Sequence, residues 1–146
     1  MADSKDRRSI IIIDDELLIR DLLYDFFAEK NWQVTVAESG SKSLEILKSR
    51  SYDVALVDIK MPEMDGLEFI RKLRDLYPSM PVVLMTGFPS VETAIEGIRL
   101  RVEDYFVKPF NINKLFKRLE QIASGKKGVE EPRAVDINFR TYPENI

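Results

Sequence analysis

Neither cysteine nor histidine occurs in the 146 residues. Without cysteine there is no disulfide, no thiolate metal site and no thiol nucleophile. Without histidine as well, a zinc site and a Ser-His-Asp triad are not expected, and any metal must be a hard cation held by oxygen. Only 6 glycines are present, scattered along the chain, and neither GxGxxG nor GxxxxGK(S/T) occurs, so no loop is built to cradle a nucleotide phosphate. No apolar run approaches membrane-spanning length, and the opening "MADSKDRRS" lacks an apolar signal core, so a cytoplasmic chain without membrane contact is expected. An excess of one charge is lacking too. The 22 basic and 25 acidic residues leave a net charge of −3, which provides no basic field to attract nucleic acid in bulk.

What is present suffices for one core: 45% of the residues are hydrophobic, and the length fits a single domain of ordinary size with a short appendage. Short apolar runs alternate with longer stretches of helical period. "SIIII" (9–13), "VALV" (54–57) and "VVLM" (82–85) read as buried strands, "QVTVA" (33–37) as a strand with one exposed face, and "YFV" (105–107) as a brief fifth. Between them, Ile19, Leu22, Leu23 and Phe26 predict the inner face of a first helix, and Leu44 and Leu47 mark a short second one. Ile70, Leu73 and Tyr77 continue a third from Gly66 until Pro78. Ser90 is expected to cap a fourth with an inner stripe of Val91, Ala94, Ile95 and Ile98. Asn111 is expected to cap a fifth lined by Ile112, Leu115, Phe116 and Leu119. This alternation predicts an α/β protein, a doubly wound parallel sheet covered on both faces, with 33–37 at an edge. Residues 1–8 read as an N-terminal extension, 9–123 as the domain, and 124–146 as a linker or C-terminal arm in which Val135, Ile137 and Phe139 alternate.

Ligands of doubly wound sheets bind beyond the carboxyl ends of the strands, so the residues that follow each run matter most. The first strand ends in Asp14 and Asp15, the third in Asp58, the fourth in Thr86-Gly87 and the fifth in Lys108-Pro109. Three carboxylates on one rim repel one another, and a divalent cation relieves the conflict. Oxygen ligands with room left for water suit Mg²⁺. Lys108 then offers a point charge to an anion, and Thr86 a hydroxyl donor. A carboxylate nucleophile, a hard metal and a lysine together describe phosphoryl transfer to an aspartate. Each feature alone is unremarkable, an aspartate as a cap or a Thr-Gly as a turn; their conjunction at four strand ends carries the inference.

The motifs "IIIDDE" (11–16), "ALVDIKMPEMDGLE" (55–68), "LMTG" (84–87) and "DYFVKPF" (104–110) resemble the receiver domains of bacterial two-component response regulators, over about residues 8–123. Residues 87–110 look closest to receivers fused to AAA+ transcription activators. The resemblance implies a flavodoxin-like (βα)5 fold with strand order 2-1-3-4-5. It implies that Asp58 accepts the phosphoryl group from a phosphohistidine, carried by a sensor histidine kinase or a histidine phosphotransfer protein. Asp14 and Asp15 would hold Mg²⁺ together with Asp58 and the backbone carbonyl of Lys60. Lys108 would contact the phosphoryl oxygens, with a cis peptide before Pro109. Thr86 and Tyr105 would form a switch pair that alters the surface of the fourth helix, fifth strand and fifth helix. Such a chain is a phosphoacceptor rather than an enzyme acting on another substrate, catalysing only its own phosphorylation and dephosphorylation. Its output is either phosphorylation-controlled dimerisation within a longer transcriptional regulator or, as a stand-alone regulator or phosphorelay intermediate, reversible protein binding. Lys60 and Phe88, beside the pocket, are expected to affect the lifetime of the phosphate. Arg101 departs from the family pattern, which places a glycine at the end of the fourth helix.

Two rival readings fare worse. A haloacid-dehalogenase-type phosphatase resembles DxD, but the second acid position is Lys60 here and Asp65 lies too far along. Lys114, Lys117 and Arg118, opposite an apolar stripe on the last helix, read as a solvated or partner-docking face rather than a DNA contact.

Overall fold

The computed structural model describes residues 7–124. Strands and helices alternate throughout: β1 (Ser9–Ile13), α1 (Leu17–Glu29), β2 (Gln33–Ala37), α2 (Gly40–Leu47), β3 (Val54–Asp58), α3 (Gly66–Leu76), β4 (Val82–Thr86), α4 (Val91–Arg99), β5 (Asp104–Val107) and α5 (Ile112–Ala123). The strands pair in parallel in the order β2-β1-β3-β4-β5. The predicted doubly wound α/β sheet, its order and the edge position of 33–37 are all found. Among the described residues no helix is long and apolar enough to cross a membrane. The extended arm expected around Val135, Ile137 and Phe139 lies outside the described residues, as does most of the N-terminal extension.

Alternation along the central strands divides the core in two. Ile11, Ile13, Ala55, Val57, Val82 and Leu84 face the layer of α2 and α3, where Leu47, Phe69, Ile70 and Leu73 meet them. Ile10, Ile12, Val54, Leu56, Val83 and Met85 face α1 and α5, meeting Leu23, Phe27, Leu115 and Leu119. Strands buried on both faces need continuous apolar runs, which is what the β-branched sequences supply. Ser39, Asp65, Ser90 and Asn111 each accept a backbone N–H in the first turn of the helix they precede, so the helices begin where short polar side chains can satisfy otherwise unpaired donors.

Two predicted helix faces require correction. In α1 the buried pair is Leu23 and Phe27, while Leu22 is 53% exposed. In α4 the stripe Val91, Ile95 and Ile98 faces outward, at 76%, 44% and 41% exposure, and Gly97 is the buried residue. At about 100° per residue, Thr93, Gly97 and Leu100 lie opposite that stripe. The helix meets the sheet at Leu84 of β4. A glycine permits close approach there, since a Cβ on Gly97 would stand 3.0 Å from Leu84 Cδ1.

Candidate functional site

The sheet order reverses between β1 and β3, which run side by side with Ile13 opposite Val57. The residues just beyond them, Asp14 and Asp58, are therefore neighbours at the switch point where a crevice opens. Asp58 is the last residue of β3, paired with Met85 of β4, so the ladder to β4 holds its backbone. The chain then turns at once. Gly66 donates its N–H to the Ile59 carbonyl at 2.8 Å, folding the start of α3 back onto the end of β3. A side chain at Gly66 would collide with the Asp58 carbonyl oxygen and sit 2.9 Å from Ile59 Cα, so only glycine lets the loop close there.

Asp14 is fully buried and Asp58 is 4% exposed, whereas Asp15 is exposed. One carboxylate oxygen from each of the three lies within 4.8 Å of the others. Lys108, arriving from the end of β5, donates to Asp14 Oδ2 at 2.8 Å and stands 3.5 Å from Asp58 Oδ1. The peptide between Lys108 and Pro109 is cis. Asp14 also accepts the Glu16 N–H at 2.9 Å. Burial pushes the Asp58 carboxyl up to about 7, reinforced by the charge of Asp14 and opposed by that of Lys108. Burial raises Asp14 too, although its hydrogen bond to Lys108 pulls the other way. Burial alone lowers the Lys108 ammonium, but its acidic partners outweigh that and hold it above the usual lysine range. The carboxylate oxygens could together hold a hard cation, and the ammonium beside them could hold an anion.

Thr86 is fully buried at the end of β4, and its hydroxyl accepts the Phe88 N–H at 3.0 Å. Tyr105 is partly buried on β5; its hydroxyl lies 2.7 Å from Thr93 Oγ1 and accepts the Ser90 N–H at 3.3 Å. The Lys60 ammonium stands 5.7 Å from the centre of the Phe88 ring at the mouth of the crevice. Asp65, the acid placed too far along for a DxD pair, caps α3 through the Glu68 N–H at 2.9 Å. Of the basic residues on α5, Arg118 is tied to Asp104 at 2.7 Å and to the Glu103 carbonyl at 3.1 Å.

Sequence reasoning assigned no role to Glu16, yet its carboxylate lies 3.3 Å from Lys108. The signal was available in part: Glu16 takes the N-cap position of α1 without capping it, which leaves the side chain for another partner. Nor did it find that Ile19, Leu22 and Phe110 line the crevice, a cavity of about 610 Å³ that also includes Asp15, Asp58, Lys60, Phe88, Lys108 and Pro109. Periodicity places a residue on a helix face but does not say what that face borders.

Comparison with known proteins agrees with this geometry. The family model for the response regulator receiver domain matches residues 10–120. Regulatory protein AtoC of Escherichia coli K12 is 37% identical over 123 residues, covering 82% of this chain and 27% of that protein. DNA-binding transcriptional regulator NtrC of the same strain is 33% identical over 136 residues, covering 92% of this chain and 29% of that protein. The chain thus spans less than a third of the length of these curated relatives. Among solved structures, the receiver domain of Francisella response regulator 1452 superposes with a TM-score of 0.76 at 30% identity, covering 83% of this chain and 100% of that one. Chemotaxis protein CheY4 of Vibrio cholerae gives a TM-score of 0.75 at 28% identity, covering 80% of this chain and 98% of that one.

Proposed function

The chain belongs to the response regulator receiver domain family, and from that premise we propose that it accepts a phosphoryl group on Asp58 from a phosphohistidine of a partner protein. The observation that carries this reading is the placement of Asp58 at the switch point, 3.5 Å from the Lys108 ammonium and within one oxygen cluster with Asp14 and Asp15. An Asp58 carboxylate oxygen attacks phosphorus, the P–N bond breaks, and the imidazole leaves with the bonding electron pair and takes up a proton. The ladder to β4 holds the Asp58 backbone and fixes the direction of attack, so positioning supplies much of the acceleration. Lys108 turns from its carboxylate partners toward the phosphoryl oxygens and offsets their charge.

The cluster fits Mg²⁺: the three carboxylates offer oxygen only, and neither imidazole nor thiolate exists in the chain to select a softer metal. Asp14, Asp15 and Asp58 would hold the ion, with the Lys60 carbonyl. When bound it supplies positive charge that offsets both the carboxylate cluster and the phosphoryl oxygens.

No histidine occurs in these 146 residues, so a phosphohistidine donor must come from outside them. Exposed Leu18 and Leu22 on α1, with Phe88 across the crevice, give such a partner an apolar rim beside the acid pocket. The chain is a phosphoacceptor and not an enzyme in the ordinary sense, for the group it acts on is its own carboxylate. Output runs through Thr86, Tyr105 and the outward face of α4, β5 and α5. In a longer regulator of the kind named among its relatives, that face would control dimerisation. The alternative output is reversible protein binding, as a stand-alone regulator or a phosphorelay intermediate.

Incubation with a phosphorylated histidine donor and Mg²⁺ should add one phosphoryl mass to the chain, and Asp58→Asn should abolish it. Undiminished labelling of that variant would refute the assignment.

A further inference from the structure

Every polar group of Asp14 has a partner. Its N–H donates to the Ala37 carbonyl at 3.2 Å, and its carboxylate accepts the Glu16 N–H at 2.9 Å and the Lys108 ammonium at 2.8 Å. Its own carbonyl accepts Nη1 of Arg20 at 2.8 Å. Arg20 closes the first turn of α1, where its N–H meets the Glu16 carbonyl at 3.1 Å. Helical side chains lean toward the N-terminus, which brings this guanidinium back over the end of β1.

Asp15 is the opposite case. It is exposed, and among the described residues its side chain makes no hydrogen bond or ion pair. Yet one of its oxygens lies within 4.8 Å of oxygens of Asp14 and Asp58. What aims it there is the backbone. A peptide group is planar, so a bond to the Asp14 carbonyl also holds the Asp15 N–H and Cα, the point from which the Asp15 side chain sets out.

On charge alone, a guanidinium bonded to the backbone of the acid cluster works against a cation there. Positioning and charge therefore predict opposite signs for its removal. The Arg20 charge also reaches Glu38, whose carboxyl is held low first by its bond to Lys42 and least by Arg20. Glu38 is thus the weaker of the two partners that account for where Arg20 lies.

Resting on the Mg²⁺ site proposed above, we infer that Arg20 is a positioning residue for the metal. Its bond to the Asp14 carbonyl holds the peptide between Asp14 and Asp15, so that the otherwise unheld Asp15 carboxylate meets the ion. Lys108 does not take this part, because it holds the Asp14 side chain and not the backbone that leads to Asp15. Arg20 has only donors and is itself no ligand. It acts through the backbone.

Titration of the metal-free full chain with MgCl₂, followed by NMR at the amides of Asp15 and Ile59, gives the Mg²⁺ dissociation constant without any phosphoryl transfer. Arg20→Met, which keeps the apolar stem, should bind Mg²⁺ about tenfold more weakly, as expected when a partner behind a metal ligand is lost. Arg20→Lys, which keeps the charge and can supply the one donor needed, should stay within about threefold of the unmodified chain. Glu38→Gln should stay within about twofold. Unchanged or tighter binding in Arg20→Met would overturn the inference, since tighter binding is what removing a repelling charge alone would give. A fall as deep in Arg20→Lys or in Glu38→Gln would overturn it too. So would shifts in Arg20→Met that spread to Ile70 and Leu73 in the opposite core layer, because general loosening would then explain the loss. If the unmodified chain shows no Mg²⁺-dependent shift, the metal site itself falls, and the role of Arg20 with it.

Discussion

Asp58 ionises near 3.8 in an unstructured chain, but burial and the neighbouring Asp14 push it up to about 7 in the fold. The folded protein therefore holds that proton more tightly than the unfolded one. The contribution to stability is complete below the unfolded value and is lost as the pH rises through about 7. Above that pH, the metal-free protein carries a buried carboxylate beside a second one. Asp58→Asn should thus raise the unfolding free energy by about 2–4 kcal/mol at pH 8 without metal, and by clearly less at pH 5. Denaturant titrations at the two pH values measure the difference, and an equal gain at both would contradict the burial argument. Added Mg²⁺ should stabilise the unmodified chain more than the variant, because the variant lacks one of the three carboxylates. The aspartates and Lys108 were legible in the sequence, because each stands directly after an apolar run. Glu16 was not, since its pairing with Lys108 spans 92 positions along the chain.

At the scale of the element, α4 is where sequence and structure part. Its period is helical and its apolar stripe is real, yet the stripe faces solvent and Gly97 faces the sheet. Amphipathic reasoning assumes that the apolar face is the buried one, and a helix that meets the sheet through a glycine escapes that assumption. The end of the same helix carries a second departure. Arg101 adopts φ 63°, in the left-handed region that glycine enters freely and other residues enter at a cost of about 1 kcal/mol. Arg101→Gly should stabilise the protein by about 1 kcal/mol, reduced by the loss of the arginine's 3.4 Å bond to the Pro78 carbonyl. Thermal unfolding at fixed pH checks the sign. A fall in stability would mean that the side-chain contact outweighs the backbone strain. The departure from the family's glycine, visible in the sequence as "LRV" at 100–102, was the one local clue to this strain.

Across the whole molecule, the crevice and the exposed face of α4 and β5 are separate surfaces joined through β4, which ends in Thr86, and β5, which carries Tyr105. Occupancy at Asp58 has to be read out on that second surface if the proposed function is right. Light scattering of the full chain, with and without Mg²⁺ and beryllofluoride, measures the outcome, with fluorine NMR to confirm occupancy. A doubling of molar mass is expected, because Val91, Ile95, Ile98 and Val107 leave an apolar face unpartnered. Full occupancy with unchanged mass would move the output to binding of a different protein.

The sequence by itself determined the element order, the parallel sheet covered on both faces, and the chemistry of the site: oxygen ligands, one ammonium and no imidazole. Those follow from residue type and short-range period, which act within a strand or a helical turn. The tertiary structure decided which carboxylate is buried and which exposed, which acids meet Lys108, and which face of α4 looks outward. These depend on what stands across the crevice or beneath the helix. That is a matter of packing between segments tens of residues apart, and no local pattern carries it.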